Sequence, residues 1–229
     1  MRRLAFACLM ILAACARPLS EGEADLAGTL FGPAFDPAPV RVAPFAALSS
    51  LTERRPPRPR IACRERIWPA PEQTDGMVKT FTAAFVSFNR INIATELYAP
   101  DYLPDFPARM SLPAAMLIGH EMTHVWQWQN REITGYHPLK AAAEHRPGSD
   151  PYLLEIDGDV RFLDFPYEQQ GAIVEEYVCC RALDPTGART RRLHEMLAVA
   201  FPVSDLDRRM SRADIRLPWD GAETRGICS

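Results

Sequence analysis

The stretch that decides the fold is "LIGHEMTHVWQWQN", residues 117–130, in which a glutamate follows directly after the first of two histidines. His120 and His124 lie one helical turn apart, so their imidazoles would share a helix face and could bind one metal ion. A catalytic zinc ion takes three protein ligands and leaves a fourth position for water. Glu121 would lie beside the ion, placed to accept a proton from that water. The pattern therefore predicts a zinc site; two ordinary helix histidines with an incidental glutamate are the alternative.

The third ligand must come from elsewhere in the chain. In metzincins it is a histidine in the continuation H-x-x-G-x-x-H, but here a glutamine and an asparagine occupy the glycine and final histidine positions. Gluzincins use a glutamate from a later helix, and the segment 165–184 offers three: Glu168, Glu175 and Glu176. We favour Glu168 as the ligand, with Glu175 orienting one of the histidines. Glu175 and Glu176 remain alternative ligands.

The composition is that of an ordinary globular protein. The chain has 229 residues, 47% of them hydrophobic and 24% charged, with a net charge of -3. This length suffices for one domain with a substantial core, and the mixed charge predicts no nucleic-acid partner. The local exception is the basic run "ERRPPRPR" at 53–60. Its interleaved prolines favour an exposed, extended linker over a binding patch.

Residues 1–15 have the pattern of a signal peptide. Two arginines precede a short apolar stretch that is too short for a permanent membrane span, and "LAAC" ends at Cys15. "LAAC" is similar to the lipobox of bacterial lipoproteins, in which the cysteine becomes the lipid-modified N-terminus. Ordinary cleavage after Ala16 is the alternative. Either form predicts export to the cell envelope, with membrane contact only through a lipid anchor at Cys15.

Cysteine usage agrees with export. Outside the leader the chain has Cys63, Cys179, Cys180 and Cys228. In an oxidising compartment these predict up to two disulfides. Because adjacent cysteines seldom bridge each other, we expect Cys179 and Cys180 to pair with Cys63 and Cys228, in either combination. A thiolate zinc site is the alternative, although no C-x-x-C spacing supports it.

Helical patterns dominate the rest of the chain. They cover residues 19–36 (capped by Ser20), 111–130 (Ser111 as cap), 165–184 and 188–201. Short strands are expected at 39–45, near Ile61 and around Ile91 and Ile93. The predicted fold class is α+β, mostly helical: a zincin-like single domain with few short strands. Residues 16–185 would form the metallopeptidase domain, and 186–229 a C-terminal helical extension packed on it.

Four segments together resemble a known bacterial family: "LSEGEADLAGTLFGPAFDPAPVRV", "INIATELYAPDYLPDF", "HEMTHVWQWQ" and "YEQQGAIVEEY". This family consists of gluzincin-type metallopeptidase domains of unknown function in Vgr-related proteins and extracellular contractile injection systems. The similarity covers residues 19–180, and "HEMTHVWQ" is its most specific part. It implies a compact helical domain, zinc on His120, His124 and a glutamate best matched to Glu168, with Glu121 as base. The leader, the four cysteines and the tail after Asp184 depart from it and suggest a stand-alone exported version.

These observations predict an exported zinc-dependent metallopeptidase that hydrolyses amide bonds in a peptide or protein substrate. A cell-wall peptide amidase or endopeptidase would share the zinc site. A non-catalytic, zinc-stabilised structural or toxin-associated envelope module is the other alternative. By analogy with the fold, an extended peptide could pair with the edge of the strand at 91–94. The sequence leaves the oligomeric state open.

Overall fold

The computed structural model describes residues 16–47, 50–146, 150–153, 160–203, 206, 209–210 and 213–229. The predicted signal peptide and Cys15 lie outside these residues. The fold is α+β with few short strands, as predicted. The helices are α1 (Glu21–Phe31), α2 (Cys63–Arg66), α3 (Leu112–Gln129), α4 (Arg131–Thr134), α5 (Pro138–Ala142), α6 (Tyr167–Leu183) and α7 (Ala188–Ala198). The strands are β1 (Arg41–Phe45), β2 (Thr52–Arg55), β3 (Val78–Phe81), β4 (Ala84–Ser87), β5 (Arg90–Ala94), β6 (Arg109–Ser111) and β7 (Asp214–Arg216).

Helices α3 and α6 pack against each other and form the centre of the domain. Both are buried on most of their surface, because other elements cover the faces they do not share. Pro113 lies in the first turn of α3, where its missing N–H costs nothing. Ser111 is the N-cap residue of α3, as predicted, but its side chain makes no capping hydrogen bond. The motif helix is thus stabilised by packing rather than by a side-chain cap at its N-terminus.

The first helix begins as its sequence predicts. Ser20 Oγ accepts a hydrogen bond from the backbone N–H of Glu23, whose carboxylate accepts one from the N–H of Ser20. This reciprocal capping box satisfies two N–H groups that the first helical turn leaves without partners. Leu26, Leu30 and Phe31 then project into the core. Helix α1 therefore packs beside α3 and forms one wall of the core.

The described residues form three small sheets, two of which contact α3. The first has the order β1-β5-β4, with β1 parallel and β4 antiparallel to β5. Because β5 is paired on both sides, the expectation that a peptide adds to the edge of the strand at 91–94 is wrong; β4 is the sheet edge that packs near α3. The strand expected near Ile61 is also wrong, since that residue lies in a turn between β2 and α2.

The second sheet pairs β2 with β3, and the third pairs β6 with β7 in the tail. The tail strand β7 gave no sequence signal, because only three residues take part and their pairing partner lies more than a hundred positions away. The core cluster includes residues of both the main segment and the tail, such as Leu197 and Cys228. None of the helices in the described part of the chain has the length and apolarity that a bilayer crossing requires.

Two disulfides connect distant segments to α6. Cys63 pairs with Cys179, and Cys180 pairs with Cys228. The prediction that the adjacent cysteines pair outward is confirmed, and the thiolate zinc alternative is not the form this structure takes. Disulfides form and persist in oxidising compartments. They therefore indicate an exported protein.

Candidate metal centre

His120, His124 and Glu168 meet in the groove between α3 and α6. The Nε2 atoms of the two histidines are 3.2 Å apart. Glu168 Oε2 lies 3.3 Å from His124 Nε2 and 3.5 Å from His120 Nε2. All three side chains are buried, and their ligand atoms lie within 4.8 Å of one another. The group can hold a metal ion, and two imidazole nitrogens with one carboxylate oxygen form a donor set that suits zinc.

The tautomer of His124 is set by its neighbours. Gln127 donates its side-chain N–H groups to Gln170 Oε1 at 3.0 Å and to the backbone oxygen of Tyr167 at 3.2 Å. Its oxygen must then face His124 Nδ1, which lies 2.8 Å away and donates to it. With the proton on Nδ1, the Nε2 lone pair points into the metal group. A buried hydrogen-bond network between the two helices thus fixes His124 in the tautomer that can bind a metal ion.

Glu175 performs the corresponding task for His120. Its Oε2 lies 3.6 Å from His120 Nδ1 and 3.1 Å from Nη1 of the buried Arg64. Burial alone would raise the pKa of Glu175, but the contact with His120 and the charge of Arg64 bring it down to about 2. The carboxylate is therefore ionised and holds His120 with Nε2 towards Glu168. Glu175 lies on the far side of the ring from the metal group.

Glu176, the remaining alternative ligand, does not reach the site. Its carboxylate accepts the backbone N–H groups of Cys63 and Arg64 at 3.0 and 3.1 Å. It also pairs with Arg189 Nε at 2.7 Å. Being next to Glu175, it projects from α6 about 100° further round the helix. Glu176 therefore caps α2 and connects α6 with α7, a structural position that the sequence pattern did not reveal.

Glu121 is buried beside the three ligands, with 5% of its surface exposed. Its Oε2 has no hydrogen-bond partner among the described residues. Burial raises the pKa of Glu121, and the neighbouring histidines only partly oppose this effect. A buried carboxylate oxygen without a partner is costly unless a ligand, ion or water occupies the space next to it. Glu121 thus has a free acceptor atom at the metal group.

Glu168, the proposed third ligand, is held by two residues that no sequence pattern indicated. Both carboxylate oxygens of Glu144 accept backbone N–H groups at the start of α6, those of Tyr167 at 2.9 Å and Glu168 at 3.0 Å. The next residue, His145, places Nε2 3.3 Å from Glu168 Oε1. The segment after α5 therefore caps α6 and contacts the Glu168 side chain at the same time. No local pattern marks these two residues, because their partners lie more than twenty positions away.

Two tyrosines that no motif in the sequence marks line the histidines. Tyr136 stacks on His124, with ring centroids 5.9 Å apart and planes inclined by 24°. Burial and the charge of Glu168 raise the pKa of Tyr136 well above its usual range. The Tyr152 ring lies 5.7 Å from that of His120. Both phenols stay protonated near neutral pH and form apolar walls against the imidazoles.

Comparisons with known proteins give one structural similarity. No protein-family model matches the chain, and no curated protein matches it. Among solved structures the chain is similar to the effector domain of Pseudomonas aeruginosa VgrG2b, with 24% sequence identity and a TM-score of 0.49. The match covers 81% of this chain and 83% of that one.

Proposed function

We propose that this protein is an exported zinc-dependent metallopeptidase of the gluzincin type. His120, His124 and Glu168 would hold the ion, and Glu121 would act as general base. The observation that carries the proposal is the buried Glu121 carboxylate beside the three ligands, whose Oε2 has no hydrogen-bond partner in the part of the chain that the structure describes. An ion that only stabilises the fold needs no base and has four protein ligands. A non-catalytic role as a zinc-stabilised envelope module would account for the three ligands but not for the buried carboxylate of Glu121 beside them.

Each residue has a separate task in amide hydrolysis. Bound zinc supplies Lewis acidity, which polarises a substrate carbonyl and acidifies water. Glu121 Oε2 accepts the proton of the attacking water and delivers it to the nitrogen of the leaving amine. Gln127 and Glu175 keep the ligand nitrogens of His124 and His120 turned inward. A peptidase and a cell-wall amidase share these steps and differ only in the substrate they admit.

The location we propose is the cell envelope. The leader ends in a lipobox-like "LAAC", which would leave Cys15 as a lipid-modified N-terminus. The two disulfides require the oxidising conditions found outside the cytoplasm. A lipid-anchored form would place the metal centre at the membrane surface, where exported peptides and cell-wall peptides are both accessible.

Replacing the proposed base tests this function. Glu121→Gln should keep about one zinc per chain by mass spectrometry, because Glu121 is not a ligand. It should reduce hydrolysis of casein, synthetic peptides or peptidoglycan about 100-fold or more, because proton transfer is lost. His120→Ala and Glu168→Ala should lose both zinc and activity.

The control is Glu132→Gln, which changes an exposed glutamate on α4 and should have no effect on either quantity. Wild-type protein that binds zinc but hydrolyses none of these substrates would contradict the peptidase proposal and support a structural role. Zinc retained in Glu168→Ala would show that another residue is the third ligand.

A further inference from the structure

A cavity of about 240 Å³ lies on the other side of Glu175 from the metal group. Its walls come from the basic run, from α2 and the loop after it, and from α6. They include Arg55, Arg58, Arg60, Arg64, Glu65 and Glu175. The basic run is therefore not a free linker. Its extended backbone continues from β2 and turns three arginine side chains into a single concave surface.

The cavity has more positive charge than its own carboxylates neutralise. Arg58 is paired with Asp150, with Nη2 2.8 Å from Oδ1, and Arg64 is paired with Glu175. Arg60 donates only to the backbone oxygens of Arg66 and Trp68, and no carboxylate within the described residues pairs with it.

Arg55 is only weakly paired with a carboxylate. Its Nη1 is 3.9 Å from Asp150, the carboxylate already held by Arg58. Burial and the neighbouring charge of Arg58 lower the pKa of Arg55. Within the described residues, the guanidinium groups of Arg55 and Arg60 thus have no carboxylate of their own in a partly desolvated space. Such groups attract an anion from solution.

The cavity also contains an acceptor atom that is unsatisfied within the described residues. Glu65 Oε2 is buried and receives no hydrogen bond from any described residue. Glu65 Oε1 lies 2.9 Å from Arg64 Nε. The free oxygen is an acceptor, so a ligand that fits this cavity should bring an N–H donor as well as an anion. A peptide with an acidic group provides both.

The cavity shares residues with the metal centre. Glu175 Oε2 contacts Arg64 on one side and His120 Nδ1 on the other. The Arg58 guanidinium lies 5.2 Å from the centre of the Tyr152 ring, and the same ring lies 5.7 Å from that of His120. Arg64 also donates to the backbone oxygen of Tyr152. A peptide side chain bound in the cavity would therefore lie near the metal group. A few residues of extended peptide, each about 3.3 Å long, would span the distance between them.

We propose that this arginine cavity binds a carboxylate of a peptide and makes acidic peptides the preferred substrates; this rests on the proposed peptidase function. Planar guanidinium groups bind carboxylates through paired N–H···O bonds. The cavity is smaller than typical sites for drug-sized ligands and suits one side chain or a chain end. A carboxylate fits better than phosphate, because Glu65 and Glu175 in the walls repel a doubly charged anion more strongly.

Binding can be measured without hydrolysis. The protein is the mature full chain carrying Glu121→Gln, titrated by calorimetry in zinc and separately in EDTA. The probes are N-acetyl-tetraglutamate amide, the matching tetraglutamine amide and inorganic phosphate. We expect the acidic peptide to bind about tenfold more tightly than the neutral one, and less tightly as salt increases.

Arginine variants locate the binding site. Arg55→Ala and Arg60→Ala should each weaken binding of the acidic peptide about fivefold or more, and Arg60→Lys should restore part of it, because charge returns without the planar fork. The control is Arg41→Ala, which removes an exposed arginine outside the cavity; among the described residues Arg41, like Arg60, donates only to backbone oxygens. Thermal unfolding confirms that each variant is folded.

Three results would overturn the proposal: equal affinity for both peptides, unchanged affinity in Arg55→Ala and Arg60→Ala, or tighter binding of phosphate than of the acidic peptide. The EDTA titration separates this proposal from the peptidase proposal. Arginine-dependent binding of the acidic peptide in EDTA supports carboxylate binding in the cavity even if the Glu121→Gln comparison shows no catalysis.

Discussion

Gly171 controls how closely α6 approaches the ligand His120. A Cβ built on Gly171 would lie 2.7 Å from His120 Cε1 and 2.8 Å from its Nε2, closer than real Cβ contacts allow. The hydrogen side chain thus leaves room for the edge of the imidazole that would bind the metal. Gly171 follows Glu168 by less than one helical turn. One short segment of α6 therefore supplies the third ligand and leaves the space that the His120 ring occupies.

We expect Gly171→Ala to weaken zinc binding at least tenfold, because His120 must rotate away from Glu168 to make room for the methyl group. Competition with a chromophoric chelator measures the affinity. Gly28→Ala is the matched control, since a Cβ on this glycine of α1 meets nothing within 4 Å. It should leave zinc affinity unchanged and stabilise the fold by about 0.5–1 kcal/mol. Unchanged affinity in Gly171→Ala would show that the helices can move apart.

The residues of the motif were predictable, and so was Glu175 as the partner of one histidine, but the other residues that support the ligands were not. His120, Glu121 and His124 follow from helical spacing alone, because an α-helix fixes the relation between residues four apart. Glu168 was preferred over Glu175 and Glu176 on helix position and resemblance, and the structure brings Glu168 to the histidines. Gly171, Glu144 and His145 act through space on residues that the chain brings together only when folded.

Among the elements, α2 depends most on a single distant side chain. It has four residues, too few to be stable alone, and its first N–H groups have no cap from its own sequence. Glu176 supplies the cap from α6 and pairs with Arg189 at the start of α7. One carboxylate therefore joins three helices. Because α2 also carries Arg64 and Cys63, its position affects both the arginine cavity and a disulfide.

Glu176→Ala should lower the free energy of unfolding by about 3–5 kcal/mol, because it deprives two buried N–H groups and the half-buried Arg189 guanidinium of their carboxylate partner. Urea denaturation at neutral pH measures this change. The control, Glu195→Ala, removes an exposed glutamate from α7 and should change stability by less than about 0.5 kcal/mol. Folded Glu176→Ala should still bind about one zinc; loss of the metal from folded protein would restore Glu176 as a ligand.

At the scale of the whole molecule, the disulfides connect an N-terminal segment and the C-terminus to α6. The pairs close loops of 116 and 48 residues. Closing loops of this size restricts the unfolded chain and stabilises the fold by about 2–5 kcal/mol per disulfide. Neither bridge lies in the metal group, so their contribution is to hold α2 and the tail on the helix that carries Glu168.

We expect the paired variants Cys63→Ser with Cys179→Ser, and Cys180→Ser with Cys228→Ser, each to lower stability by about 2–5 kcal/mol. The first pair should cost about 0.8 kcal/mol more, because its loop is longer. Thermal melts with and without dithiothreitol provide the comparison, since reduction should remove the difference between wild type and variants. A wild-type melting temperature that does not respond to the reductant would contradict this account.

The sequence by itself determined the properties that depend on near neighbours along the chain. These are the main helices, the metal motif on one of them, and the outward pairing of two adjacent cysteines. Only the tertiary structure decided which glutamate meets the histidines, which cysteine pairs with which, and that β5 is the central strand of its sheet. It also decided that the arginines of 53–60 line a cavity. The physical reason is range, since local geometry follows from a few dihedral angles, whereas these arrangements depend on packing between distant segments.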